Sequence, residues 1–121
     1  MQIKLNLSGH QNDDLAEKGF VFPGTIQINP EKGFDENLVS VTNFLKAQGV
    51  SSGSTVTVAV PGMSTLTVMV LVALHGLTGQ FPFVAPLVRN ENGKFVSVEE
   101  VDLQLLRNNV SRLTREDVVN L

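Results

Sequence analysis

The sequence predicts an α/β protein with a mostly parallel sheet, followed at its C-terminal end by an antiparallel hairpin strand and a helix. Short apolar runs alternate along the chain with longer segments whose apolar residues recur at helical spacing. Within residues 54–82, an apolar run leads through a Pro-Gly turn into an almost entirely apolar helix. These observations predict one domain spanning residues 1–121, organised around residues 54–82.

The first half of the chain supplies two predicted strands and two predicted helices. Residues 3–7 alternate apolar and polar side chains and predict a first strand. Asn12 or Asp13 can cap a short helix that a glycine closes. Residues 25–29 predict a second strand, and residues 35–48 predict a longer helix with one apolar face.

The central segment begins with a strand over residues 56–60, whose continuous apolar run is typical of a strand covered on both faces. Pro61-Gly62 ends this strand, because proline cannot donate to a sheet ladder and glycine permits a tight turn. Ser64 or Thr65 can cap the helix that follows. That helix is apolar almost all the way round, so the sheet must cover one face and a second helix, or a second copy of the protein, the other.

The last third of the chain predicts a hairpin and a helix. Residues 83–88 read as a strand with a proline inside it, which indicates an edge, a bulge or a kink. Asn92-Gly93 predicts a tight hairpin turn, so residues 94–98 return antiparallel. A helix is predicted from Glu99 onward. Its apolar stripe contains Leu103, Leu106, Val110 and Leu113.

Composition narrows the classes of partner. Lys and Arg number 9 against 12 Asp and Glu, a formal net charge of −3, which disfavours duplex nucleic acid and anionic membranes. We find no apolar run long enough to span a membrane, no signal-peptide pattern and no cysteine, which together favour the cytoplasm. The two histidines are far apart and have no carboxylates at ligand spacing, so we expect neither a metal nor a cofactor.

Two loops are expected to form a ligand site. If the strands take a flavodoxin-like order, the loops after the first and third strands flank the switch point and share one crevice. The first loop contains Ser8, Gly9 and His10, and the second contains Pro61, Gly62, Met63, Ser64 and Thr65. Backbone N–H groups in the second loop suit a phosphate, although an ordinary capped helix explains that loop equally well. His10 is either a binding or acid-base group or an ordinary surface residue.

Other chemical signals are weaker. Arginines in the last third can bind phosphates or simply solvate a face, and Arg89 and Arg107 are preferred because each lies near the end of a core element. The Rossmann glycine fingerprint and the P-loop are both absent. Ser64 lacks the Gly-x-Ser-x-Gly context of a serine hydrolase. His75, on the apolar helix, is expected to be a hydrogen-bonded structural residue.

Three stretches resemble a known family. Residues 74–82, LHGLTGQFP, are preceded by the Pro-Gly loop that follows a hydrophobic strand, and residues 102–108, DLQLLRN, come late in the chain. In these stretches and in its element order, the chain resembles the small CRISPR-associated accessory proteins of type III systems, relatives of the CARF (CRISPR-associated Rossmann-like) proteins. The resemblance implies a Rossmann-like three-layer sandwich that binds cyclic oligoadenylates, second messengers that some relatives cleave and others only sequester.

The resemblance also implies which residues bind the ligand. Those that match the family's ligand loops and late helix are Ser8, Gly9 and His10, Pro61 to Thr65, and Arg107 with Asn108. The chain departs from the family pattern at three positions. Gly9 separates the serine from the histidine, Gln11 replaces a proline, and Gln80 replaces a histidine.

The leading hypothesis is therefore a non-catalytic binder of cyclic oligoadenylate, with cyclic tetra-adenylate as the favoured ring. A C2 homodimer, able to assemble further on ligand binding, would present the same loops to both halves of the ring and sequester it, damping type III CRISPR antiviral signalling. The alternative is a metal-independent ring nuclease in which His10 or Ser8 assists attack by a ribose 2′-hydroxyl. A third hypothesis is an α/β protein-interaction module that binds no nucleotide.

Overall fold

The structure is a computed structural model that describes residues 1–117 and the side chains of residues 1–113. It contains helices and strands in mixed order, which confirms the α/β class. The elements are β1 (Gln2–Asn6), α1 (Asp13–Glu17), α2 (Phe34–Ala47), β2 (Thr55–Ala59), α3 (Ser64–Thr78), β3 (Phe83–Val84), β4 (Leu87–Arg89), β5 (Phe95–Ser97), β6 (Val101–Asp102) and α4 (Leu103–Asp117).

A four-stranded, mostly parallel sheet forms the centre, in the order β1-β2-β3-β6. β1 pairs with β2 and β2 with β3 in parallel, whereas β6 runs antiparallel to β3. Leu5 lies opposite Val58, and both strands end at the same edge of the sheet. β4 and β5 form a separate antiparallel pair, which confirms the predicted hairpin at Asn92-Gly93.

The sheet is covered on both faces. On one face, alternate residues of β1 and β2 pack against α2 and α3 in the main apolar cluster. On the other face, Ala59 packs with Leu15 of α1, Phe20 and Ala85 in a smaller cluster. The residues of β2 from Val56 to Ala59 are all buried, as the continuous apolar run predicted.

Helix α3 receives its cover within the chain. Its buried side chains are Leu66, Met69, Val70, Ala73 and Leu74. The sheet and α2 provide this cover, while Val68 and Val72 remain 50% exposed. Gly79 ends the helix in the left-handed conformation, with a φ of 84°, and its N–H donates to the His75 carbonyl. His75 itself is exposed and lies against the Phe81 ring, so the expectation of a hydrogen-bonded structural histidine is wrong.

The predicted strand at residues 25–29 is wrong. This segment is irregular, although Ile26 and Ile28 pack against the main cluster. The ladder position beside β1 is taken instead by Val21, whose carbonyl accepts from the Asn6 N–H at 2.8 Å and whose N–H donates to the Lys4 carbonyl at 2.9 Å. Because Val21 already occupies this edge of β1, residues 25–29 have no strand to pair with there. Their alternation of apolar and polar residues is not sufficient to form a strand.

The C-terminal third also differs from expectation in detail. The predicted strand at residues 83–88 is split at Pro86 into β3 and β4, which belong to different sheets. The last helix begins at Leu103 instead of Glu99, because residues 101–102 pair with β3. The Asp102 carboxylate accepts from the Leu105 N–H at 3.1 Å and so caps the true start of α4.

Candidate functional site

The first predicted loop is held in shape by Asn6, which is only 2% exposed at the end of β1. Its Oδ1 accepts hydrogen bonds from the Ser8 N–H at 3.0 Å and the Ser8 hydroxyl at 2.6 Å. Its Nδ2 donates to the His10 carbonyl at 2.8 Å. Gly9 allows the reversal with a φ of 89°. The buried side-chain amide of Asn6 thus fixes the conformation of this loop. Asn6 was not among the residues predicted from the sequence.

The second predicted loop is held from inside helix α3. The Thr67 hydroxyl donates to the Pro61 carbonyl at 2.8 Å, and the Thr67 N–H donates to the Met63 carbonyl at 3.0 Å. Met63 is the N-cap residue and provides no side-chain cap, so the expectation that Ser64 or Thr65 caps the helix is wrong. The first N–H groups of α3 are therefore left to solvent or a ligand.

These two loops line one cavity of about 1060 Å³, which we call the carboxyl-edge cavity because it lies where β1 and β2 end. The crevice predicted between the two loops is present. Ser8, Gly9 and His10 of the first loop line it, together with Pro61, Gly62 and Met63 of the second. Ser64 and Thr65 are exposed and lie outside the lining.

The hairpin β4–β5 closes part of this cavity through Leu87 and residues 93–96, a contribution that the sequence analysis missed. Polar contacts join the hairpin to α1 and to the residues that cap this helix. Asn12 Nδ2 donates to the Phe95 carbonyl at 2.9 Å, and the Ser97 N–H donates to Asp14 Oδ2 at 2.8 Å. Lys18 Nζ bridges Asp14 and the Ser97 carbonyl.

The cavity has a mixed lining with little net charge. Its apolar side chains include Leu7, Ile26, Val60, Leu66 and Leu87, and its ionisable ones are His10, Asp13, Asp14 and Lys94. The hydrogen bond from Lys18 and the backbone N–H of Ser97 hold the pKa of Asp14 below its ordinary value. Lys18 therefore already compensates the negative charge of Asp14. As a result, the acidic residues of the lining repel an anionic ligand less than their number alone would indicate.

Ser8 and His10 do not form a catalytic couple. The Ser8 hydroxyl is directed at Asn6 Oδ1, and its contacts with His10 are to the backbone carbonyl and N–H, at 3.1 and 3.4 Å. The His10 side chain is exposed. A hydroxyl whose hydrogen is already donated to an amide oxygen, without an imidazole to accept it, is not an activated nucleophile.

Three other predicted residues do not belong to the lining of the carboxyl-edge cavity. Arg89 is exposed at the end of β4, with its guanidinium carbon 5.1 Å from the centre of the Phe95 ring. Arg107 and Asn108 are exposed on α4 and contact each other at 3.2 Å. Asn108 borders a smaller cleft of about 200 Å³ near the start of β2 and β3, the amino-edge cleft.

No group of three or more metal-ligating side chains occurs within the described residues. In the same part of the chain, we find no helix with the length and apolarity needed to cross a bilayer. No protein-family model matches the chain, and no match was found among curated proteins or solved structures. We therefore infer a function from the geometry of the carboxyl-edge cavity.

Proposed function

We propose that the protein binds a cyclic oligoadenylate, with cyclic tetra-adenylate as the favoured ring, in the carboxyl-edge cavity. The binding sequesters the messenger and damps type III CRISPR antiviral signalling in the cytoplasm. The observation that carries the proposal is that Ser8, Gly9 and His10 line the same cavity as Pro61, Gly62 and Met63, although they are about 50 residues apart in the chain.

The size and lining of the cavity support a nucleotide larger than a mononucleotide. A volume of about 1060 Å³ lies just above the range for small-molecule sites, roughly 300–1,000 Å³. The apolar lining suits the flat face of an adenine. Met63 and Leu66, at the uncapped start of α3, belong to the lining, so this helix end can meet a phosphate of the ligand. A ligand that combines bases with phosphates uses both features.

The connectivity of the core supports a Rossmann-like assignment. β1 and β2 are adjacent and parallel, the segment containing α2 connects them, and α3 connects β2 to β3. In open α/β sheets of this kind, ligands bind outside the carboxyl ends of the strands. We therefore include the three-layer Rossmann-like sandwich in the proposal. In this sandwich, α1 and Phe20 form the thinner of the two layers that cover the sheet.

A homodimer is the natural receptor for a cyclic tetra-adenylate. The ring is compatible with two-fold symmetry, so a C2 pair of protomers can offer one cavity to each half. In this arrangement every ring engages two copies of the same loops. Neither duplex nucleic acid nor a membrane enters the proposal, in keeping with the net charge of −3.

Binding without cleavage is favoured by the hydrogen bonds of the first loop. In a ring nuclease, His10 would have to act as the base for the attacking 2′-hydroxyl without help from Ser8, whose hydroxyl already donates to Asn6. Titration calorimetry with cyclic tetra-adenylate, followed by chromatography of the nucleotide, tests this point. We expect saturable binding at one ring per two protomers and recovery of intact ring after hours. Turnover to linear products would establish the ring nuclease instead, and absence of binding would leave a protein-interaction module.

The location of the site can be tested at Gly62, which lines the cavity mouth. Its φ is not positive, and a Cβ there meets nothing within 4 Å, so the backbone accepts a side chain. Gly62→Asp adds a negative charge beside the ligand phosphates, whereas Gly62→Asn adds nearly the same volume without charge. We expect binding to weaken by about tenfold or more in the aspartate variant relative to the asparagine variant. Equal affinities in the two variants would exclude the phosphates from this mouth.

A further inference from the structure

The hairpin β4–β5 places a lysine in the lining of the carboxyl-edge cavity. Lys94 directly follows the Asn92-Gly93 turn, and residues 93–96 belong to the lining. The other ionisable side chains of this lining are His10, Asp13 and Asp14. A lysine is cationic throughout the neutral pH range. Lys94 is therefore the one permanent cation that the described residues contribute to the lining.

The backbone around Lys94 is fixed by hydrogen bonds on both sides. Asn90 Oδ1 accepts from the N–H groups of Asn92 and Lys94, each at 3.0 Å. The Lys94 carbonyl accepts from the Asn90 N–H at 2.8 Å. At the next residue, the Phe95 carbonyl accepts from Asn12 Nδ2 at 2.9 Å. The backbone from which the Lys94 side chain extends is thus already held at the cavity, which lowers the cost of ordering it around a ligand.

The ammonium group of Lys94 has no competing partner. Two other lysines are engaged, since Lys4 Nζ lies 3.0 Å from Glu100 and Lys18 Nζ lies 2.9 Å from Asp14. No hydrogen bond or ion pair of the Lys94 ammonium is found within the described part of the chain. An anion can therefore bind Lys94 without first breaking an internal ion pair.

The charges around the cavity favour phosphates as the partner of this ammonium. Lys18 already compensates Asp14, so Asp13 is the remaining carboxylate of the lining and Lys94 opposes its charge. An ammonium donates charge-assisted hydrogen bonds to phosphate oxygens. An uncharged adenine base has no negative charge to offer. Lys94 therefore distinguishes the phosphates of a ligand from its bases.

We infer that Lys94 binds a phosphate of the ligand in the carboxyl-edge cavity and makes the site select phosphorylated nucleotides over uncharged nucleosides. This inference rests on the proposed function and extends the site from the two loops to the hairpin. In the C2 arrangement, each ring meets Lys94 of both protomers, so the contact is made twice.

Calorimetry with cyclic tetra-adenylate compares Lys94→Gln with Lys32→Gln. Each variant removes one positive charge from an exposed lysine, but Lys32 lies outside the lining. We expect the dissociation constant to rise by about tenfold in Lys94→Gln and by less than about twofold in Lys32→Gln. Equal affinities in the two variants would overturn this inference and leave the proposed function standing. A wild-type protein that does not bind the ring would instead overturn the proposed function.

Inorganic tripolyphosphate tests the phosphate contact separately from the ring. In NMR titrations of the wild-type protein, we expect the amides of Lys94 and Phe95 to shift with millimolar tripolyphosphate and to stay unchanged with adenosine. Lys94→Gln should abolish the shift at Phe95. This pattern would support the contact even if the ring did not bind. An unchanged Lys94 amide, or a shift of equal size at Lys32, would overturn the inference.

Discussion

The chain up to Ala85 and the chain from Leu87 onward are held together by different interactions. Every buried hydrophobic side chain found in the described part lies between Leu5 and Ala85. Of the fourteen large hydrophobic side chains that are exposed among residues 1–113, seven lie from Val88 onward. The first region, which we call the body, is stabilised by apolar burial. The second, the C-terminal part, is attached chiefly by backbone pairing and polar contacts, and leaves apolar surface for a ligand or a second copy to cover.

The largest expected difference between the two regions comes from a pair of leucine-to-alanine substitutions, one in each region. Leu74 in α3 is fully buried, and Leu106 in α4 is about half exposed. Leu74→Ala should lower the free energy of unfolding by about 2–5 kcal/mol because it leaves a cavity in the body. Leu106→Ala should change it by less than about 1 kcal/mol when denaturation is measured at a concentration where the protein is monomeric. Equal losses would mean that α4 is part of the core.

A second change removes the polar tie between α1 and the hairpin. The Asp14 carboxylate has a lowered pKa in the folded protein, so it contributes stability above its ordinary pKa of 3.8 and loses that contribution as the pH falls through the lowered value. The difference in stability between wild type and Asp14→Asn should therefore be full at pH 7 and shrink as the pH falls below 3.8. Asp13→Asn is the matched control, since no side-chain hydrogen bond of Asp13 is found among the described residues. Urea denaturation across this pH range measures both variants, and a pH-independent difference would contradict the role given to Asp14.

The smallest expected effect comes from replacing two glycines of similar conformation, one in each region, with alanine. Gly79 ends α3 in the body with a φ of 84°, and Gly93 turns the hairpin with a φ of 76°. Alanine at either position is strained by roughly 1–2 kcal/mol. Hydrogen exchange should show that Gly79→Ala weakens protection across the body. Gly93→Ala should weaken protection in β4 and β5 alone, because the hairpin can open locally. Loss of protection throughout the body in Gly93→Ala would show that the two regions unfold as one unit.

Local chemistry was enough to predict much of the body and the turn of the C-terminal hairpin. The apolar run of β2, the Pro-Gly turn, the apolar helix α3 and the Asn-Gly hairpin all depend on neighbours in the sequence. The irregular segment at residues 25–29 and the two-residue strand β6 could not be predicted in this way. Residues 25–29 remain irregular because Val21 already occupies the place beside β1. β6 forms because the outer edge of β3 is open to it.

The candidate site was predictable in position but not in detail. Parallel strands end at one edge, so the loops after β1 and β2 had to approach each other there. Asn6 was missed because a polar residue near a strand end suggests solvent exposure, although an Asn two residues before Ser-Gly is a signal for a side-chain-stabilised turn. Arg107 and Asn108 were grouped with the loops, yet β6 delivers α4 to the opposite edge of the sheet.

The most direct test of the proposed site is the set of backbone amide NMR shifts during a titration with cyclic tetra-adenylate. The account predicts that the amides of Ser8, Gly9, His10, Gly62 and Met63 shift together and saturate with the ligand. The amide chemical shifts of Phe81 and Gln104, which border the amino-edge cleft, should not change. Shifts confined to the amino-edge cleft, or an unchanged spectrum at high ligand concentration, would contradict the claim that the two loops bind this nucleotide.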